Sequence, residues 1–202
     1  MHTCGQRVAE ILTFAVTAGF VGVLLVVSSS LVPFGPSQAS PVIAAFEVSM
    51  SPLMQMQMPL IYAQGADPPP LRDYVFFRFT LKADFSPVWD WNTKAVYVAC
   101  VARYRTDQYV VNEVTLLDTV LKSREAAARW WLDNAQKYPL EEAHLGALAG
   151  VQVRLSLRYQ VLRYCGYSPV FEVSPVGTAP PAFTLPRAYA SPPRGESPAA
   201  TG

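Results

Sequence analysis

Val151-Gln-Val-Arg-Leu-Ser-Leu-Arg-Tyr-Gln-Val161 alternates without a break. Val151, Val153, Leu155, Leu157, Tyr159 and Val161 share one parity, and Gln152, Arg154, Ser156, Arg158 and Gln160 share the other. A period of two places the first set on one face of an extended chain and the second on the opposite face. The segment therefore reads as a half-buried β-strand.

Working outward, the same signal recurs upstream. Phe77, Phe79, Leu81 and Ala83 alternate with Arg78, Thr80, Lys82 and Asp84 in a stretch that opens at Tyr74 and is broken at Ser86-Pro87. Residues 94–104 carry Val and Ala on both parities, the pattern of a central strand covered on two faces. Residues 109–121 mix β-branched side chains with Asn112 and Asp118 and hold a further strand or two. Residues 167–173 add a last one. Between them, residues 123–136 predict a helix, with Ser123 as N-cap, Glu125 in the first turn and Ala126, Ala127 and Ala128 as strong helix formers. In that reading Trp130, Trp131 and Ala135 lie against the sheet and Pro139 stops the helix. Several strands with one helix give a mainly β chain, an antiparallel β-sandwich-like domain over residues 74–173 with a small helical insertion.

The N-terminal part has a different character. Residues 11–32 contain no charged side chain, and as a helix they span roughly 33 Å, enough for a bilayer's hydrocarbon core. Arg7 precedes the run and the next basic residue is Arg72, an asymmetry that favours a cytosolic N-terminus and a translocated remainder. A retained anchor and a cleaved signal peptide give the same orientation. Small residues at Ser28, Ser30, Ser37 and Ala39 offer cleavage sites, while the length of the run argues for retention. Residues 1–10 form the short N-terminus. Residues 33–73 read as an irregular linker with one short strand within 41–48. Its Met/Gln alternation at Met54 to Met58 reads as a loop, because no Cys or His joins it to make a soft-metal site. From Ser174 to Gly202 prolines sit among Ala, Ser and Gly, and such a tail is expected to be disordered.

Across 202 residues the net charge is +1, with no Lys/Arg cluster to suggest nucleic acid as a partner. Catalytic constellations are hard to assemble. His2 precedes the apolar run, and His144 sits beside Glu141 and Glu142 in what reads as a solvated loop. Lys82, Lys94, Lys122 and Lys137 fall on polar faces or at element ends, so none reads as a desolvated base. One exported histidine and two distant cysteines give no metal-ligand spacing, and no cofactor is expected. Cys100 and Cys165 would share an oxidising compartment; they either form a disulfide or remain two free thiols in a β core.

Phe77-x-Phe-Thr-Leu-x-Ala-Asp84, Trp89-Asp90-Trp91-Asn92-x-Lys94, Val96-Tyr97-Val98 and Ala102-x-Tyr104 together resemble the family of the third, non-catalytic subunit of the eukaryotic signal peptidase complex. Asn112-x-Val114 to Leu121, Lys137-Tyr138 and residues 151–161 follow in that family's order. The sequence departs from the pattern at Arg103, where an acidic residue is usual, and in having no Asn-x-Ser/Thr sequon. The resemblance implies an endoplasmic reticulum membrane protein with a single signal-anchor helix, a cytosolic N-terminus and a luminal β domain. It implies no catalytic residues of its own. It also implies as partners the catalytic serine peptidase subunit, the other subunits and the lipid bilayer, with nascent secretory preproteins acted on only indirectly. From their residue types, Trp89, Asp90, Trp91 and Asn92 are expected to form a structural corner, with Asp90 and Asn92 fixing the turn and Trp89 and Trp91 on one side of it. Trp130 or Trp131 is expected to contact a partner, since two adjacent helical positions cannot both face the sheet. The competing reading is a secreted or surface β-sandwich binding module whose apolar run has been removed.

Overall fold

The computed structural model describes residues 3–31, 40–57, 68–173 and 182–190. The first element, α1 (Cys4–Leu31), is a 28-residue helix, about 42 Å long at 1.5 Å per residue. Residues Cys4–Ser28 have a mean hydropathy of 2.4 and none of that span is buried in protein. Two of its hydroxyls are turned inward on the backbone. Thr13 Oγ1 donates to the Ala9 carbonyl and Thr17 Oγ1 to the Thr13 carbonyl, both at 2.8 Å, which suits a helix surrounded by lipid. The helix begins before the apolar run because helical hydrogen bonding does not require apolar side chains; Arg7 and Glu10 are simply carried on its first turns.

Among the described residues ten strands follow, paired antiparallel in two sheets. The first sheet is built on β3 (Leu71–Asp84), the longest strand. On one side it pairs with β1 (Val42–Met50) and β2 (Met54–Gln57), on the other with β6 (Trp130–Ala135) and β7 (Pro139–Glu142). In effect the sheet has three rows, its two outer rows each broken once. The second sheet runs β5 (Asn112–Leu121), β4 (Thr93–Tyr104), β8 (Gln152–Arg163). The far edge of β8 is shared by β9 (Val170–Val173) and β10 (Ala182–Thr184).

The alternation that marks β3 and β8 points their apolar parities at each other. Phe77, Phe79 and Leu81 from the first sheet, with Phe85 just after β3, meet Val96, Val98, Leu155 and Leu157 from the second in one core. Phe85 sits between the sheets, 5.7 Å from Tyr159 and 5.8 Å from Trp130 by ring centroids. Each fully buried aliphatic or Phe side chain contributes on the order of 1.5–3 kcal/mol, so this face dominates the domain's stability.

Four expectations are corrected. The helix expected over 123–136 is α2 (Arg124–Ala128) alone, capped by Ser123 Oγ accepting from Ala126 N at 3.2 Å. The chain then enters β6, because an open edge of β3 offers Trp130 and Leu132 a buried face that a solvent-exposed helix would not. Pro139, expected as a stop, begins β7 on the same edge. The Met/Gln alternation is a strand, β2, and β1 is longer than the short strand expected, so the linker 33–73 contributes two strands and the start of β3. The tail expected to be disordered over 174–202 contains β10 and a buried Leu185; residues 174–181 and 191–202 lie outside the described residues.

Candidate functional site

Between β3 and β4 the chain turns through a short 3-10 segment (Ser86–Val88) into Trp89, Asp90, Trp91 and Asn92. Asp90 organises the turn. Its Oδ1 accepts from Asn92 N at 2.9 Å and from Thr93 Oγ1 at 2.8 Å, and its Oδ2 accepts from Arg163 Nη1 at 3.1 Å. Asn92, only 2% exposed, uses its amide as a substitute peptide: Nδ2 donates to the Cys165 carbonyl at 2.6 Å and Oδ1 accepts from Cys165 N at 3.2 Å. Tyr164 N donates to the Asn92 carbonyl at 2.9 Å. The corner is thereby fastened to the turn that follows β8.

The two tryptophans of the corner do not share a side. Trp89 packs against the core, whereas Trp91 is among the most exposed side chains of the domain. The turn at Trp91-Asn92 breaks the extended geometry that would have kept them together. The second pair is split by a different device. On β6 Trp130 pairs with Ala83 and points inward, and Trp131 pairs with Lys82 and points outward. The alternation of a strand, rather than the 100° step of a helix, separates them.

Cys100 and Cys165 are both free, and no disulfide joins them. Cys100 lies in mid-β4 opposite Leu157, and Cys165 follows the end of β8, on the order of 20 Å away along that strand. Burial pushes the Cys100 thiol up to about 12, so it behaves as a small apolar side chain.

At the opposite end of the domain, an open cleft of about 570 Å³ is lined in part by Arg105, Asp107, Glu142 and His144. His144 Nδ1 stands 3.6 Å from Glu142 Oε1, and the one hydroxyl in the lining, Thr106 Oγ1, accepts from Tyr109 N. Among the described residues no group of three or more His, Cys, Asp or Glu side chains is placed to hold a metal ion.

Beside this cleft lies a feature that composition concealed. Asp73 is fully buried, its Oδ1 accepting from Gln55 Nε2 at 3.2 Å and its Oδ2 from Leu148 N at 3.3 Å and Tyr189 Oη at 2.6 Å. Burial first, and then the bond to Asp73, raises the Tyr189 phenol. Tyr189 belongs to the tail, and Ala190 N donates to the Leu53 carbonyl at 2.8 Å. Residues 182–190 therefore run from the edge of the second sheet back to the first.

Comparison with known proteins supplies the frame for these parts. A family model described as signal peptidase subunit matches residues 1–187, which takes in α1 and both sheets. The chain belongs to the signal peptidase subunit family. Similar proteins named signal peptidase complex subunit 3 include one from Schizosaccharomyces pombe, 38% identical over 74 residues, covering 35% of this chain and 40% of that protein. The Saccharomyces cerevisiae protein is 30% identical over 89 residues, 44% and 48% of the two chains. The Caenorhabditis elegans protein is 30% identical over 95 residues, 47% and 53%. The chain thus spans about half the length of the curated relatives it matches.

Within this family member, the Asp90 and Asn92 bonds could be anticipated from residue type. The Arg163 and Cys165 ends of them could not, since those residues are more than seventy positions away. Tyr189 carried no sequence signal beyond being an aromatic among prolines.

Proposed function

We propose that this chain is a non-catalytic, single-pass subunit of the endoplasmic reticulum signal peptidase complex. In this reading α1 is retained as a signal anchor, with the N-terminus in the cytosol and the two-sheet domain in the lumen. The domain supports the separate catalytic serine peptidase subunit, so that nascent secretory preproteins are processed by the assembly rather than by this chain. The observation that carries the reading is the family match over residues 1–187, which includes the anchor and the domain together. The charge pattern supports the orientation, with Arg7 before the apolar run and no Lys or Arg after it until Arg72.

Contact with the catalytic subunit is assigned to the outer face of the first sheet, with Trp131 as its anchor. Trp131 is 66% exposed on a rigid strand, and a large aromatic held there loses little conformational freedom on binding. Trp130, buried beneath it, supports the strand instead.

The test is functional. Microsomes depleted of this chain should leave signal peptides uncleaved on newly made preproteins. Adding back the full chain should restore processing, whereas the purified chain alone should cleave nothing. Full processing in depleted microsomes, or cleavage by the chain alone, would refute the assignment.

A further inference from the structure

All four tryptophans of the chain, Trp89, Trp91, Trp130 and Trp131, lie at one end of the β domain, and the strand register shows which end that is. Val42, the first residue of β1, pairs with Asp84, the last of β3. β4 begins and β8 ends at the same level, where Thr93 pairs with Arg163. This is therefore the end at which the chain enters the domain from α1. Eleven steps of chain separate Leu31 from Val42, so the chain can hold the entry point no more than roughly 40 Å from the helix terminus. The far end is one strand length further along the chain.

The side chains presented here are unusual for a surface in water. Trp91 is 75% exposed, Tyr164 70% and Tyr167 63%. The pair of hydrogen bonds between Asn92 and Cys165 ties the two loops that carry them, so the rings stand on a fixed support rather than on free loops. Exposed cations surround them. Lys94 lies at the start of β4, Lys122 follows β5, Arg124 opens α2 and Arg129 follows it. None of these four makes an ion pair among the described residues. Asp84 is engaged by Ser86 N and Asp90 by Arg163 and the turn, which leaves Glu125 exposed at this end and Asp133 exposed further along β6. Trp and Tyr beside Lys and Arg are the side chains that favour the membrane–water interface. There the ring body meets acyl ester and glycerol while the cation meets phosphate.

We propose that this end of the domain rests on the bilayer that α1 spans, with Trp91, Tyr164 and Tyr167 in the headgroup region and Lys94, Lys122, Arg124 and Arg129 on lipid phosphates. The inference rests on α1 being a membrane anchor. It adds a second, peripheral attachment that fixes the height and tilt of the domain above the membrane. Trp131, on the sheet face rather than the end loops, is left for the protein partner.

The four tryptophans make the test direct, because α1 contains none. The full chain is reconstituted into phosphatidylcholine vesicles carrying a nitroxide on the headgroup or high on the acyl chain, and tryptophan emission is recorded. Quenching is expected, about twofold weaker in Trp91→Phe and unchanged in Trp131→Phe. Both side chains are exposed, so both variants keep the fold, which circular dichroism verifies. Alkaline carbonate extraction separates the two levels of the argument. If the chain stays in the vesicles but its emission is unquenched, or is quenched equally in Trp91→Phe, the peripheral contact is wrong and the anchor stands. If carbonate releases the chain, the anchor itself is wrong and the inference falls with it. Shielding of Trp91 from aqueous iodide only when the other subunits are present would assign this end to a protein and overturn the lipid contact.

Discussion

Trp130 and Trp131 are neighbours in sequence with opposite surroundings, and that contrast makes them the sharpest residue-scale probe of the structure. Trp130 is 7% exposed and meets the Phe85 ring in the core; Trp131 faces out. Removing a buried tryptophan deletes its contacts and leaves a cavity, so Trp130→Ala should lower unfolding stability by about 3–5 kcal/mol. Trp131→Ala should leave stability within about 0.5 kcal/mol of wild type, as surface substitutions do. The order should invert in recovery of the catalytic subunit, where folded Trp131→Ala loses binding. Denaturant titration and co-purification read the two quantities. Equal stability losses in both variants would contradict the strand geometry.

At the scale of elements, strands β5, β4, β8 and β9 are laced together by charge on their outer face. Glu113 accepts from Arg158 Nη1 and Nη2, each at 2.9 Å, and from Arg103 Nε, while Glu172 lies 3.5 Å from Arg103 and 3.8 Å from Arg158. Hydrogen bonds from Arg158, then Arg103, lower the Glu113 carboxyl to about 2. A carboxyl depressed in the folded state binds its proton more readily when unfolded. Its contribution is therefore complete above the unfolded value of about 4.3 and is lost as pH falls through that value toward 2. Solvent screening makes the effect modest, since Glu113 is about one-third exposed. Thermal midpoints measured from pH 6 to pH 2.5 should fall less steeply in Glu113→Gln than in wild type. Parallel curves would remove Glu113 from the account.

The tail element calls for a separate substitution. Tyr189→Phe keeps the ring but removes the 2.6 Å bond to Asp73, leaving that oxygen with Leu148 N alone. A cost of about 1–3 kcal/mol is expected by denaturant unfolding, and no change would mean that the tail is not docked in solution. The contrast between this element and β8 shows what the sequence made legible. β3 and β8 are long, and their alternation repeats often enough to stand out. β6 offers only Trp130 and Leu132 inward against Trp131 and Asp133 outward, directly after three alanines that favour helix. Its strand state depends on the free edge of β3, which is a tertiary fact. In the tail, Leu185, Tyr189 and Ala190 are diluted by prolines, and their partners Val151, Asp73 and Leu53 are distant in the chain. Local pattern carries elements that are stable by their own periodicity; it does not carry those completed by a neighbour's edge.

For the whole molecule, α1 is long and apolar enough to cross a bilayer, and in the proposed assignment it holds the surface of the two-sheet domain on one side of it. The anchor reading gained its weight from the domain, because residues 11–32 alone fit a removable signal peptide as well as a tether. The surface, in turn, has its proposed use only within an assembly. The most direct measurement is affinity purification of the tagged full chain from a mild detergent extract of microsomes. The chain should be recovered with residues 1–10 intact and should bring the catalytic signal peptidase subunit with it. Recovery of a chain lacking its N-terminal segment, or of the intact chain without any signal peptidase subunit, would contradict the assignment.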